Sequence, residues 1–371
     1  MQSPPAVRVG QRLVGPDHPV YVIAEAGVNH DGRLDIALEL IDAAAGAGAD
    51  AVKFQYFSAE RLAAPDAPTC QYQKDHYAGA SSQLEMLRRL ELPPDDFKRL
   101  KVHADQAGID FLCTPFGIPE LRALSGLEVA AIKIASPDII NIPLLREAAA
   151  AKLPVIASTG AAELDEVRAA VDLLHEHDAL ERLILLHCVS AYPTPPSEAR
   201  LRCISTLANE FNVPVGYSDH TAEADFSALA VAAGAVILEK HLTHDRSAPG
   251  PDHFFSLTPD DFAKYCMAAK AAFSARGTGV VAPGSREAEV RKLARGSIVA
   301  ARHIPAGTPI SPDALTVRRP GTGIPPAEWD NVIGAVASAD IPAGSPLEWA
   351  HLRRISPSSS RHASSDRITL R

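Results

Sequence analysis

The chain is poor in cysteine and arranges what it has to no evident purpose. Its five cysteines, Cys70, Cys113, Cys188, Cys203 and Cys266, are an odd number without a C-x-x-C pair. That excludes a disulfide framework and a zinc ribbon, and it fits a reducing compartment. Long apolar runs are missing too. The stretch 229–238 is too short to span a bilayer, and Met1-Gln2-Ser3-Pro4-Pro5 opens no apolar leader, so a soluble cytoplasmic protein without a membrane partner is expected. Nor is there an excess of positive charge. With 36 Lys and Arg against 45 Asp and Glu the formal net charge is −9, which excludes general nucleic-acid binding but leaves room for a few inward-pointing lysines to hold an anionic substrate. Finally, no Gly-x-Gly-x-x-Gly follows the first β-like run, which removes the main signature of a dinucleotide-binding fold.

What is present is a regular alternation. The 371 residues are 46% hydrophobic and 22% charged, as in an ordinary globular protein, and the length favours one large domain with a smaller companion. Eight β-like runs occur at 21–26, 51–55, 109–114, 130–135, 154–158, 183–188, 213–217 and 235–240, with helical patterns between them at 34–47, 94–107, 164–174 and 222–233. Strands that alternate with helices and are apolar on both faces imply a parallel sheet, and eight units select a closed (β/α)8 barrel, an α/β fold. Residues 1–20 read as an N-terminal extension, 21–273 as the barrel, 274–295 as a Gly- and charge-rich linker, 296–354 as a small β-rich domain, and 355–371 as a disordered Ser/Arg-rich tail. Within the β-rich part, Ile304-Pro305-Ala306-Gly307-Thr308-Pro309 is echoed by Ile341-Pro342-Ala343-Gly344-Ser345-Pro346, which reads as two related turns in one module. One connection, 57–92, is unusually long. Its Cys70-Gln71-Tyr72-Gln73-Lys74-Asp75-His76-Tyr77 stretch reads as a polar, aromatic lid over a site.

In such a barrel the carboxyl ends of all strands open onto one face, so polar residues there converge. His220 and His241 follow the last two runs, and two imidazoles completed by water suit an octahedral divalent ion such as manganese, with magnesium or cobalt as alternatives. Lys53 and Lys133 end the second and fourth runs, beside the hydroxyls of Ser136, Ser158 and Ser218. Together they form a cradle for a phosphate or carboxylate. The plainer reading pairs those lysines with Glu25, Asp138 or Glu239. Glu25, Asp138 and Asp219 are the acid/base candidates, and Asp252, in a Gly/Pro loop after the last run, is placed to accept hydrogen bonds from sugar hydroxyls.

Read in order, Ile23-Ala24-Glu25-Ala26-Gly27-Val28-Asn29-His30, Val52-Lys53-Phe54-Gln55, Lys133-Ile134-Ala135-Ser136, Ser158-Thr159-Gly160, Tyr192-Pro193-Thr194-Pro195, Gly216-Tyr217-Ser218-Asp219-His220-Thr221, Glu239-Lys240-His241 and Gly250-Pro251-Asp252-His253 resemble the sialic acid (N-acetylneuraminate) synthase family. Arg318-Arg319-Pro320-Gly321-Thr322-Gly323-Ile324 resembles the signature of its antifreeze-like (SAF) domain. The resemblance implies condensation of phosphoenolpyruvate with an N-acetylated aminosugar such as N-acetylmannosamine, giving a nine-carbon keto acid and phosphate. A legionaminic or pseudaminic acid synthase, or a non-catalytic carbohydrate-binding barrel, are the alternatives. It implies a metal on His220 and His241, phosphoenolpyruvate on Lys53, Lys133, Ser136, Ser158 and Ser218, and the sugar near Gln55, Tyr192 and Asp252. It also implies a domain-swapped homodimer in which Arg319 reaches the partner's sugar. Asp138 and Ser190 stand where some bacterial relatives have Glu and Asn; Ser190 keeps the capacity to hydrogen-bond.

Overall fold

The computed structural model describes residues 4–77 and 82–353. The eight runs form a closed parallel barrel of strands β3 (Tyr21–Gly27), β4 (Ala51–Tyr56), β5 (Asp110–Pro115), β6 (Ile132–Ile134), β7 (Val155–Ser158), β8 (Leu183–Cys188), β9 (Val215–Asp219) and β10 (Ile237–His241), with β10 pairing back onto β3. Of the strands that begin later than the apolar pattern, two do so for a simple reason. Pro214 and Pro154 have no N–H to give the ladder, so each serves only as an acceptor, to Leu185 and Ile132, before β9 and β7 begin. The later start and end of β9 bring Asp219 inside the strand and leave His220 immediately beyond it.

Side chains alternate along each strand, and this sorts the residues into two compartments. Outward-facing Val22, Ala24, Val52, Phe54, Phe111, Val215 and Leu238 pack against surrounding helices, among them Leu34–Gly46 and Pro94–Ala107, to make the main core. Inward-facing Tyr21, Ile23, Ala51, Leu112, Ala131, Ile156, Ile184, Leu186 and Ile237 fill the amino-terminal half of the barrel. Gly216 belongs to this layer because a Cβ there would stand 2.2 Å from the Ile237 carbonyl oxygen. The N-terminal stretch is structured: β1 (Val7–Val9) and β2 (Arg12–Val14) form an antiparallel hairpin whose Val7, Val9 and Val14 close the inner apolar layer from below. Arg12 pairs with Asp50 at 2.5 Å and Tyr21 donates to Asp110 at 2.7 Å to fasten that end.

The long connection after β4 carries helices Ala59–Leu62, Gln71–His76 and Gln83–Leu90. The last is capped by the Ser82 hydroxyl, which accepts from the Glu85 N–H at 3.2 Å. Its Leu84, Met86, Leu87 and Leu90 pack with Val28, Phe57, Ala59 and Ala63 in a separate apolar cluster. The helix Pro259–Arg276 extends beyond residue 273, and the first compact unit runs to Thr278.

The second unit starts at Gly279. A helix, Glu287–Ala294, occupies much of the stretch that reads as linker. Beyond it, β11 (Ser297–Ala300) pairs with β12 (Leu315–Arg318) and β13 (Val336–Ala337) with β14 (Leu352–Arg353), around a core that includes Ile298, Ile304, Ile310, Ile324, Val332, Ile341 and Leu347. The two repeated segments pair with each other: Ile304 and Ile341 exchange both backbone hydrogen bonds at 2.9 Å. Gly307 and Gly344 take the same place in each turn, at φ +76° and +83°, where a side chain would be strained. The tail 355–371 lies outside the described residues. Among the described residues no helix is long and apolar enough to cross a membrane.

Candidate active site

Two residues above the apolar layer, the same inward alternation places Glu25, Lys53, Thr114, Lys133, Ser158, Ser218 and Glu239 on the floor of a cavity of about 400 Å³ at the carboxyl end of the barrel. The floor is a charge network. Lys53 pairs with Glu25 at 2.6 Å, donates to Thr114 Oγ1 at 3.0 Å and lies 3.6 Å from Glu239. Lys133 donates to Ser158 Oγ at 2.6 Å and to the Ile134 carbonyl at 3.0 Å, and stands 3.9 Å from Glu239. Ser218 donates to Glu239 at 2.9 Å and Gln55 to Glu25 at 3.0 Å.

Every one of these charges is buried, and burial penalises each of them. For Lys53 the carboxylates of Glu239 and Glu25 outweigh burial and raise its pKa, whereas for Lys133 burial prevails and lowers it. Glu239 shows the reverse balance, because Lys133 and Lys53 overcome burial and hold it below the usual carboxylate range. Burial raises Glu25, which makes it the floor carboxylate that most readily takes a proton. Asp138, on a short helical turn after β6, is raised by burial despite the Asn141 amide that donates to it at 2.9 Å.

His220 and His241 face one another above this floor with ring centroids 5.7 Å apart. Tyr192 lies against His220 at 4.3 Å, and Phe255 against His241 at 4.8 Å and Tyr192 at 5.2 Å. His220 Nδ1 is engaged by the Val189 carbonyl at 2.8 Å. Burial opposes charge on this ring, but Cys188, whose Sγ is 3.7 Å away, outweighs it and raises the pKa. Burial and the neighbouring His220 drive His241 well below the ordinary histidine value. Its buried Nδ1 has no hydrogen-bond partner, and the nearest carboxylate, Asp252, is 3.7 Å away. A neutral imidazole with an orphaned nitrogen, opposite a second imidazole and beside a carboxylate, fits a divalent-metal site. Among the described residues no group of three or more His, Cys, Asp or Glu is arranged to hold an ion. Such an ion would therefore take its other ligands from water or substrate. Asp252 is itself pushed up to about 7 by burial and by Glu25.

The loop bearing Asp252 is pinned from beneath. Asn29 donates to the Leu242 carbonyl and to Ser256 Oγ, both at 2.9 Å, and Ser256 donates to the Asp252 carbonyl at 2.5 Å.

The cavity thus gathers Glu25, Lys53, Gln55, Lys133, Ser136, Asp138, Ser158, Tyr192, Ser218, His220, His241 and Asp252. Two residues expected in this site are elsewhere. Asp219 alternates with Ser218 and His220 and so points outward, where it accepts from the Thr221 N–H at 2.9 Å and pairs with Lys240 at 3.3 Å. Lys240 lies 5.9 Å over the ring of Tyr265, on the helix outside the barrel. Asp219, expected as an acid/base group, is therefore turned away from the cavity and towards Lys240. Ser190 lines an adjoining cavity rather than this one, behind Gly160, where a Cβ would meet its Oγ at 2.5 Å. Arg319 is exposed in the second unit. The expected polar lid also needs revising, since Leu62, Met86, Leu87 and Leu90 line the cavity along with Cys70, Gln73 and Gln83. Residues not singled out for the site are Glu239, Cys188 and Phe255. Glu239 was legible, because it lies two residues before His241 in the same strand and must face the same way.

Comparison with known proteins agrees in extent. Residues 40–281 match the NeuB family and residues 295–353 the SAF domain. The chain is 42% identical over 335 residues to an N,N'-diacetyllegionaminic acid synthase of Legionella pneumophila, covering 90% of this chain and 94% of that protein. It is 33% identical over 325 residues to the N-acetylneuraminate-9-phosphate synthase of Homo sapiens, covering 87% and 90%. A crystal structure of an N-acetylneuraminic acid synthetase from Leptospira borgpetersenii superposes with a TM-score of 0.69 at 36% identity, covering 78% of this chain and 96% of that one.

Proposed function

Because the chain belongs to the NeuB family and ends in a SAF domain, we propose that it is a nonulosonic acid synthase condensing phosphoenolpyruvate with an N-acetylated aminosugar. N-acetylmannosamine and its diacetamido analogues are the candidate sugars. The observation that carries the reading is the floor of the cavity: two buried ammonium groups, Lys53 and Lys133, set among Ser136, Ser158 and Ser218, directly below the facing imidazoles of His220 and His241.

Lys53 and Lys133 bind the phosphate and carboxylate of phosphoenolpyruvate, with the serine hydroxyls as neutral donors. Both lysines are already engaged with Glu25 and Glu239, so an incoming anion must displace part of that compensation. Glu25, raised by burial, meets the added charge most readily by taking up a proton. The sugar aldehyde then lies between this floor and Tyr192, Gln55 and Asp252. A divalent ion on His220 and His241, manganese by preference, would supply polarisation of the aldehyde oxygen. Carbon 3 of phosphoenolpyruvate bonds to the aldehyde carbon, whose oxygen gains a proton, leaving cationic character on carbon 2. Water adds to carbon 2 and loses a proton. The bond from carbon 2 to the bridging oxygen then breaks as the new hydroxyl gives up its proton to the departing phosphate, releasing inorganic phosphate and a 2-keto acid. Glu25 and Asp252, both raised by burial, line this space as proton-transfer groups. A homodimer in which Arg319 of one chain serves the sugar bound by its partner completes the proposal.

The test is release of phosphate from phosphoenolpyruvate that depends on added aminosugar, with the nine-carbon acid identified by mass. Sugar-independent release, or none with any aminosugar, would refute it.

A further inference from the structure

We infer that His253 and Asp31 are positioning residues for this reaction, which hold the Asp252 carboxylate towards the sugar through a hydrogen-bonded crosslink between the loop after β10 and the loop after β3. The inference rests on the synthase reading above, which places the sugar at Asp252.

The loop 243–257 leaves the barrel at β10 and returns beside it. The Thr243 N–H donates to the Leu257 carbonyl and the Leu257 N–H to the His241 carbonyl, both at 2.9 Å. Asp252 lies inside this excursion, immediately before the short turn His253–Phe255. Among the described residues no donor holds its carboxylate, which stands 3.7 Å from His241 Nδ1. Its aim therefore depends on the backbone of the loop. The His253 imidazole, with 4% of its side chain exposed, spans the interior of that loop. Its Nδ1 is 2.6 Å from Thr243 Oγ1 at the base, and its Nε2 is 3.2 Å from Asp31 Oδ1 in the loop after β3. Thr243 Oγ1 accepts in turn from the Asp245 N–H at 3.1 Å. With the ring proton on Nε2 facing Asp31, the Thr243 hydroxyl donates to Nδ1 and every group in the chain has its complement. Gly250 closes over this crosslink, since a Cβ there would stand 2.9 Å from His253 Nε2 and 3.3 Å from Asp31 Oδ1. Asp31 holds φ +53°, a left-handed conformation that Asp and Asn tolerate better than other side chains.

A threonine, a histidine and an aspartate in series also have the composition of a nucleophile with its base. Thr243 is 0% exposed, however, and neither it nor His253 nor Asp31 lines either cavity, so no substrate reaches the hydroxyl. The chain acts instead through the residue next to it. Released from Thr243 and Asp31, His253 would no longer fix the backbone of Asp252, and a displacement of about 1 Å at a substrate contact can cost about a hundredfold. The lysines of the floor are on β4 and β6, away from both loops, so the phosphoenolpyruvate anion should be held as before.

The experiment measures phosphate release by the full chain, supplied with manganese and phosphoenolpyruvate, using whichever of N-acetylmannosamine and its diacetamido analogues the parent uses best. His253→Ala should lower kcat/KM for the sugar at least about tenfold and leave KM for phosphoenolpyruvate within about twofold. Asp252→Ala should lower it as much or more. Adding His253→Ala to Asp252→Ala should then cost less than about threefold further, because Asp252 is no longer there to be positioned. Asp31→Gly suits the left-handed backbone and deletes the carboxylate, and it should lower sugar kcat/KM by about fivefold or more. Asp31→Asn keeps an oxygen to accept from His253 and should stay within about twofold of the parent. Independent losses in the His253 and Asp252 pair, a rise in phosphoenolpyruvate KM that matches the loss on sugar, or a His253→Ala chain as active as the parent overturns the inference and leaves the synthase reading intact. If His253→Ala does not fold, the two Asp31 variants decide, and equal rates for them overturn the inference. Failure of the parent to release phosphate with any aminosugar overturns the synthase reading, and this inference with it.

Discussion

Replacing Asp219 by Asn separates a structural carboxylate from a chemical one. Asp219 and Lys240 form an ion pair that is fully enclosed, with side-chain exposures of 0% and 1% at 3.3 Å. Asn preserves the volume and the oxygen that accepts from the Thr221 N–H and hydroxyl at 2.9 and 2.8 Å, but it removes the negative charge facing the ammonium. Breaking one side of a buried pair costs about 3–5 kcal/mol. Here the lower end applies, because Lys240 still donates to the Thr221 carbonyl and lies over the Tyr265 ring. A loss of about 3 kcal/mol corresponds to a fall in melting temperature on the order of 6–12 °C for a domain of this size. The pH dependence has a definite sign. Burial lowers the pKa of Lys240, and Asp219 is the main group opposing that shift. In the variant the native lysine falls further below its unfolded value, so the unfolded state binds more protons in between and stability rises with pH towards the lysine range. Urea unfolding followed by circular dichroism at neutral and alkaline pH measures this, alongside kcat/KM per folded molecule, which should change less than about threefold. Adding Lys240→Met should recover most of the lost stability, a coupling that a double-mutant cycle isolates. A hundredfold loss of kcat/KM with unchanged unfolding would refute the argument and return Asp219 to the chemistry.

Lys53→Met and Lys133→Met keep most of each apolar stem and delete the charge, and each should weaken transition-state stabilisation by about 2–4 kcal/mol; unchanged phosphoenolpyruvate kinetics in both would remove them from the anion site. Chelation should abolish turnover and manganese restore it, with full activity of His220→Ala, His241→Ala in metal-free buffer as the contrary result. His30 is buried and its pKa is lowered from 6.5 to about 4, so stability present above the unfolded value should fall by about 3 kcal/mol as pH drops from there through the native one; His30→Gln should flatten this acid slope in urea titrations, and an identical slope would contradict the assignment. For the dimer, mixing an Arg319→Ala chain with a His220→Ala, His241→Ala chain, each inactive alone, should return part of the activity if Arg319 acts across subunits; verified mixed dimers without recovery would reject that arrangement.

The barrel and most of its site could be read from the order of residues because both follow from short-range periodicity. Eight apolar runs ending in polar residues imply eight strands whose ends share one face, and this placed Lys53, Lys133, Ser158, Ser218, His220 and His241 together although they are up to 188 positions apart (241 − 53). What periodicity left open was phase and partnership. A shift of two residues in the limits of β9 leaves the facing of Asp219 undecided until the ladder shows that it alternates with Ser218, and only then is it an outward partner of Lys240. Glu239 was visible as a counter-ion, but its position between two lysines depends on three strands, β4, β6 and β10, that are not neighbours and whose side chains meet inside the barrel only because it closes. The character of the cavity wall lay furthest from the sequence. The connection after β4 has both polar and apolar residues, and the choice of Met86, Leu87 and Leu90 to face the cavity is made by how a capped helix packs against Val28 and Phe57. Long-range packing decides which side of an amphipathic segment meets the substrate, and local pattern carries no information about where that neighbour lies.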